Sequence, residues 1–282
     1  MLRLVLSTDW IAGRERILQY VAEDVRARLG NRILMVPELI SHDTERRLCT
    51  AAGDTASRYA EVLSFPRLLR RVSEQTQFMP PECLDNGGRL TAMAAAARQL
   101  SSKLKSYAAV ETRPEFLSGL LDAVDEFKRC CISPEDLKLA SEQTTGSLAQ
   151  KLEELSLLLE RYDGVCAQSQ ADPRDQMNWL LEQLECCDFA RDHEFYIDGF
   201  PDLTRQHMAI VEHMLRFSPR VTVSLTADCI DSKHPAFEKA GQTAKELVLA
   251  CKALEVPVQI ETVQQRKDEL RYVRSRLFQG TI

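Results

Sequence analysis

Two patterns of apolar spacing alternate along this chain. Short, largely apolar runs occur at Leu2–Leu6, Arg32–Val36, Glu61–Phe65, Phe195–Ile197, Arg220–Asp228 and Pro257–Val263, and read as strands. The first alternates little and is mostly aliphatic, as a strand buried on both faces is, and the second reads as buried too. Helical spacing separates them: Ile17, Leu18, Val21 and Val25 follow the first run, and Leu48 and Cys49 the second, with Ser41 placed to cap that helix. Met208, Ile210, Val211 and Leu215 follow the fourth. Strand and helix in this order predict an α/β fold with a parallel sheet of five or six strands.

From Gly87 to Arg191 the strand signal is lost. Ala92–Leu104 is rich in Ala and Leu, Phe116–Phe127 is amphipathic, and Ser133-Pro134-Glu135-Asp136 reads as a capping box with proline at the first helical position. Leu148, Leu152, Leu155, Leu158, Leu159 and Tyr162 form a long apolar stripe. The pattern therefore predicts residues 1–86 and 192–282 as one α/β domain, with 87–191 an all-helical subdomain inserted in it. The chain runs out into a charged helical stretch with no terminal character, and reads as the front part of a longer protein.

Composition narrows the classes. A chain of 282 residues with 44% hydrophobic residues, 28% charged residues and net charge −6 builds its own core, and its overall acidity argues against a wholly nucleic-acid-coating protein, although a local basic groove is compatible with it. Nine cysteines include no CxxC, and the pairs Cys130-Cys131 and Cys186-Cys187 fall in stretches read as helical. They are expected as reduced thiols of a cytoplasmic protein, with metal ligation the lesser reading. No run approaches the ~18 apolar residues of a membrane helix.

The candidate chemistry lies where strands end, since ligands of open α/β sheets collect outside the carboxyl ends of strands. In Tyr196-Ile197-Asp198-Gly199-Phe200-Pro201 the strand runs out into Asp198, placed where a phosphate-bound Mg²⁺ is held, and Gly199 offers no side chain to activate water. After the first strand, the register GxxxxGK[ST] of a phosphate loop would put Thr8, Gly13, Arg14 and Glu15 at the positions that matter. Only Gly13 fits: Arg14 is a partial substitute for Lys, Glu15 repels phosphate, and Trp10 crowds the cradle. A plain strand-to-helix turn explains the stretch equally well. Two further strand ends deliver Ser41, Phe65, Arg67 and Arg70 to the same edge, which Phe200 joins. An aromatic beside arginines suits single-stranded nucleic acid, with a base on the ring and phosphates on the guanidinium groups. A core Phe beside a solvated basic helix face is the alternative.

The runs VPELISHDTE (36–45), VLSFPRLLRRV (62–72), YIDGFPDLTRQ (196–206), VTVSLTAD (221–228) and HPAF (234–237) resemble the N-terminal region of the AddB (RexB) family, second subunits of AddAB helicase-nucleases that process broken DNA ends. The resemblance covers nearly all of the chain, specific in the three central motifs and loose in the helical insertion. It implies a P-loop NTPase-like, superfamily 1 helicase-like fold whose nucleotide site (Thr8, Gly13, Arg14, Glu15, Asp198) is degenerate. It also implies an AddA-type partner, and single-stranded DNA scanned for a recombination hotspot by Ser41, Phe65, Arg67, Arg70 and Phe200. Leu39 stands where relatives often have Gln, and Arg70 where they often have an aromatic. No catalytic residue and no cofactor is expected in these residues; the Mg²⁺ and 4Fe–4S cluster implied for the parent protein would be held elsewhere. The competing functions are an active ATP-driven motor and a scaffold that only docks the partner subunit.

Overall fold

The computed structural model describes residues 1–107 and 113–264; the charged stretch expected to be helical beyond Val263 lies outside them. Six strands, β1 (Leu2–Leu6), β2 (Arg32–Met35), β3 (Ala60–Leu63), β4 (Glu194–Ile197), β5 (Val221–Leu225) and β6 (Val258–Thr262), form one sheet in the order β3-β2-β4-β5-β1-β6. Every pairing is parallel. The helices are α1 (Trp10–Arg26), α2 (Glu38–Ala52), α3 (Phe65–Thr76), α4 (Asn86–Gln99), α5 (Pro114–Arg129), α6 (Pro134–Glu142), α7 (Gly146–Cys166), α8 (Gln176–Glu185), α9 (Phe189–Asp192), α10 (Arg205–Phe217) and α11 (Glu238–Ala253). No helix among the described residues is long and apolar enough to cross a membrane.

The central strands are covered on both faces. All of β5 and four of the five residues of β1 are buried, and in β5 this includes Thr222 and Ser224, which alternate with its aliphatic residues without making a solvent face. Ile17, Leu18, Val21 and Val25 of α1 pack with Val5, Leu34, Leu48, Val62 and Tyr196. Each such side chain taken from water contributes roughly 1.5–3 kcal/mol.

Internal contacts divide the chain into two compact units: residues 1–77, 180–203 and 207–282, which carry the sheet, and residues 78–179 with 204–206. Within the second, α4, α5, α6 and α7 enclose a core around Met93, Leu120, Leu158 and Tyr162. A buried ionic network also runs through it. Arg89 pairs with Asp125 and with Asp172 at 3.3 Å, while Lys128 lies 2.8 Å from Asp175 and 2.9 Å from Asp163. The Glu154 carboxylate accepts backbone N–H bonds from Lys105, Ser106 and Tyr107, and the Ser133–Asp136 capping box closes in both directions.

Three local expectations are corrected. The third strand ends at Leu63, because Ser64 caps α3 and accepts from the Arg67 N–H; Phe65 is therefore the first residue of a helix. Pro37, with φ −55°, starts α2 at Glu38, which leaves Ser41 inside the first turn, its hydroxyl donating to the Glu38 carbonyl instead of capping. The cysteine pairs sit just past helix ends: Cys130 is the cap of α5, Cys131 has φ 54°, and Cys186-Cys187 follow α8. All nine cysteines are free thiols.

Candidate functional site

Between β1 and α1 the chain turns in three residues, Ser7, Thr8 and Asp9. The Asp9 carboxylate caps α1, accepting from the Ile11 N–H at 3.1 Å, and the Ser7 hydroxyl accepts from the Asp9 N–H at 3.1 Å. The first N–H groups of a helix are what a phosphate loop presents to an anion. Here a buried aspartate of the chain itself takes that position and adds a negative charge to it. Gly13 and Arg14, expected in the loop, lie in the opening turns of α1 because the Asp9 cap starts the helix at Trp10. A Cβ on Gly13 would stand 2.9 Å from Ser224 Oγ, so this glycine serves close packing of α1 on β5. Thr8 is half-buried, and Glu15 is exposed and does not line the cleft described below.

Asp198 stands at the carboxyl end of β4, its N–H bonded to the Met35 carbonyl. Strand β5 lies between β4 and β1, so the ends of the two outer strands face each other across one strand width. Arg14 crosses that width and donates from Nε to Asp198 Oδ2 at 3.2 Å, with both side chains buried. Burial raises the Asp198 carboxyl above its ordinary range; Arg14, Ser224 and the Gly199 N–H oppose that rise. Gly199 has φ +81°, and a Cβ there would meet Ile40 Cδ1 at 2.8 Å and Pro37 Cδ at 3.2 Å. Neither the backbone nor the space at this position accepts the glutamate of a working helicase pair.

Trp10, Pro37, Leu39, Ile40, Phe200, Pro201, Ser224 and Thr226, with residues 235, 236 and 238–240, surround the Arg14–Asp198 pair in a cleft of about 700 Å³. Its walls are largely apolar, and Trp10 (56% exposed) and Leu39 (98%) stand open beside it. A Mg²⁺-nucleotide does not fit these residues: the carboxylate that would hold the metal is engaged by a guanidinium, and the helix N-terminus that would hold phosphate is capped by Asp9.

The five residues expected to hold DNA are not assembled into one groove. Phe65 is buried (2% exposed), stacked on the His207 ring at 4.2 Å and meeting the Phe200 ring edge-on at 5.4 Å. Its faces belong to this three-ring cluster and are not open to a base, and burial holds His207 neutral by pushing its pKa down to about 4. Ser41 is buried also. Phe200 is half-exposed, lines the cleft and leans on the Phe65–His207 stack. Arg67 and Arg70 are both exposed, and Arg67 is paired with Glu45 at 3.2 Å. Both arginines line a second cleft, of about 410 Å³, along β3. Sequence reasoning passed over Asp9 and His207. The N-cap signature of an Asp before a helical run could have shown the first; no sequence period shows a ring stacked from another helix.

A family model described as "ADDB, N-terminal" matches residues 13–278. An ATP-dependent helicase/deoxyribonuclease subunit of the B type, from Thermoanaerobacter sp. (strain X514), is 30% identical over 87% of this chain and 22% of the relative's length. Its counterpart of the same name from Acetivibrio thermocellus is 23% identical over 91% of this chain and 23% of its own length. The one from Desulforamulus reducens is 30% identical over 77% of the chain and 20% of the relative. The chain thus spans about a fifth of the length of these relatives.

Proposed function

The chain belongs to the AddB N-terminal family, and from that premise we propose that it is the helicase-like front module of an AddB-type subunit, catalytically silent, contacting single-stranded DNA beside an AddA-type partner. In this reading residues 1–86 and 192–282 are a degenerate P-loop-type domain and 87–191 its helical insertion. The observation that carries the proposal is the buried Arg14–Asp198 pair. A permanent guanidinium sits on the acid where a motor needs an exchangeable Mg²⁺. The Asp9 cap and the +81° backbone of Gly199 support the same conclusion. Of the strand-end residues, Phe200 is the half-exposed ring, braced from behind by Phe65 and His207, whereas Arg67 lies on the separate cleft along β3 and is held by Glu45. Phe65 and Ser41 serve that surface from within.

Two measurements test this. Calorimetric titration of the chain with Mg²⁺-ATP is expected to give no heat of binding, and turnover no signal above buffer; turnover that Asp198→Ala abolishes would establish a motor instead. In the full-length two-subunit assembly, Phe200→Ala is expected to weaken binding of a fluorescent single-stranded oligonucleotide by about ten-fold, the loss of one base–aromatic stack worth ~1–3 kcal/mol. Unchanged affinity and unchanged hotspot response would leave the scaffold reading, which the burial of Phe65 favours.

A further inference from the structure

The second cleft lies at an edge of the sheet, where among the described residues β3 pairs only with β2. The carbonyls of Tyr59, just before this strand, and of Leu63, at its end, accept from the N–H groups of Arg32 and of Val36, the residue after β2. Alternation along a strand turns the N–H and C=O of Ala60 and Val62 to the opposite side, into the cleft, where no described residue bonds them. Exposed edges are ordinarily blunted by proline, a bulge or an unpaired charge. Here the register is unbroken, no proline interrupts it, and the one charged residue of the strand, Glu61, is taken by Arg71 at 3.2 Å.

The two walls of the cleft differ in chemistry. Ala60 and Val62 point their side chains into the core shared with α1 and α2, so that side of the edge is bounded by Leu48, Cys49 and Ala56. Glu61 points the other way, toward α3, whose Arg70, Arg71 and Glu74 line that wall, with Arg71 between Glu61 at 3.2 Å and Glu74 at 3.8 Å. Arg70 is exposed and has no ion-pair partner among the described residues. The Arg67–Glu45 pair joins α3 to α2 along the cleft wall.

We propose that the free edge of β3 is a docking site for an extended segment of a partner protein in which apolar and acidic residues alternate. A strand added in register takes its backbone bonds from Ala60 and Val62. Its side chains of one parity rest on Leu48 and Cys49, and those of the other parity reach Arg70, since Arg71 is held by Glu61 and Glu74. The four residues of β3 offer roughly 13 Å of edge at ~3.3 Å per residue, enough for a short segment. The site uses neither Phe200 nor the cleft at Asp198, and stands or falls apart from the DNA reading.

The test uses the 282-residue chain with a fluorescein-labelled peptide of alternating valine and aspartate, its block isomer of the same composition, and an oligothymidylate. The alternating peptide binds, and amide exchange at Ala60 and Val62 slows while Glu61 and Leu63, already turned to β2, do not change. Arg70→Glu, an exposed change that leaves the fold intact, weakens this peptide about ten-fold, and a valine–lysine peptide regains the loss. Val62→Pro, which removes an outward N–H and spares the β2 ladder, abolishes binding. No binding, equal binding of the block isomer, or indifference to Arg70→Glu overturns the proposal. Protection of the same amides by oligothymidylate in place of the peptide overturns it in favour of nucleic acid.

Discussion

Removing Arg14 should turn Asp198 from a paired acid into a stranded one. In Arg14→Met the aliphatic stem is kept and the guanidinium lost. The pair is separated by 3.2 Å and buried on both sides; at an effective dielectric of ~20 its attraction is of order 5 kcal/mol before desolvation is counted. Breaking one side of such a pair costs about 3–5 kcal/mol, because the other charge stays buried. Arg14→Met/Asp198→Leu removes both charges and is expected to recover most of that loss, so a double-mutant cycle read by urea denaturation should give a coupling of at least ~2 kcal/mol. The pH dependence has a definite sign. Burial already raises the Asp198 carboxyl above its unfolded value, and losing Arg14, which opposes the rise, takes it higher. The native state of Arg14→Met then binds a proton that the unfolded chain has released, so stability increases as pH falls. The deficit against wild type should therefore shrink between about pH 7 and pH 4. A deficit under ~1 kcal/mol that does not change with pH would refute the reasoning: the pair would then be solvated, and the cleft free to take a metal.

Gly199→Glu, the substitution that writes the helicase Asp-Glu pair back into the chain, should create no ATPase activity and should lower stability by about 1–3 kcal/mol, since φ +81° is strained for any side chain and Ile40 already fills the space; ATP hydrolysis by this variant in a coupled assay would show that the glycine alone had silenced the site. Arg89→Met leaves Asp125 with Arg174 and Asp172 with Lys128 as their remaining cations inside the helical unit, and should cost about 2–3 kcal/mol by denaturant titration, less than a fully stranded buried charge. Arg129→Ala, an exposed pair on α5, should cost under ~0.5 kcal/mol in the same experiment, and similar losses for the two would contradict the burial argument.

The sequence alone determined what depends on neighbours close along the chain. The aliphatic run Leu2–Leu6 meant a strand covered on both faces, the Ser133–Asp136 box marked a helix start, and a strand running out into Asp198 and Gly199 marked the sheet edge where the candidate site lies. Periodicity and caps act over a turn or two, so they can be read without a fold. Tertiary structure decided the rest. Arg14 and Asp198 are 184 positions apart and meet because the sheet sets a single strand, β5, between β1 and β4. Phe65 looked like an open ring and became a brace because α10 brings His207 onto its face. Arg67 and Arg70, one turn apart on α3, both line the edge of β3 and not the cleft of Phe200. Strand order and helix approach are products of global packing, and no local pattern of residues encodes which distant charge or ring will be brought within reach.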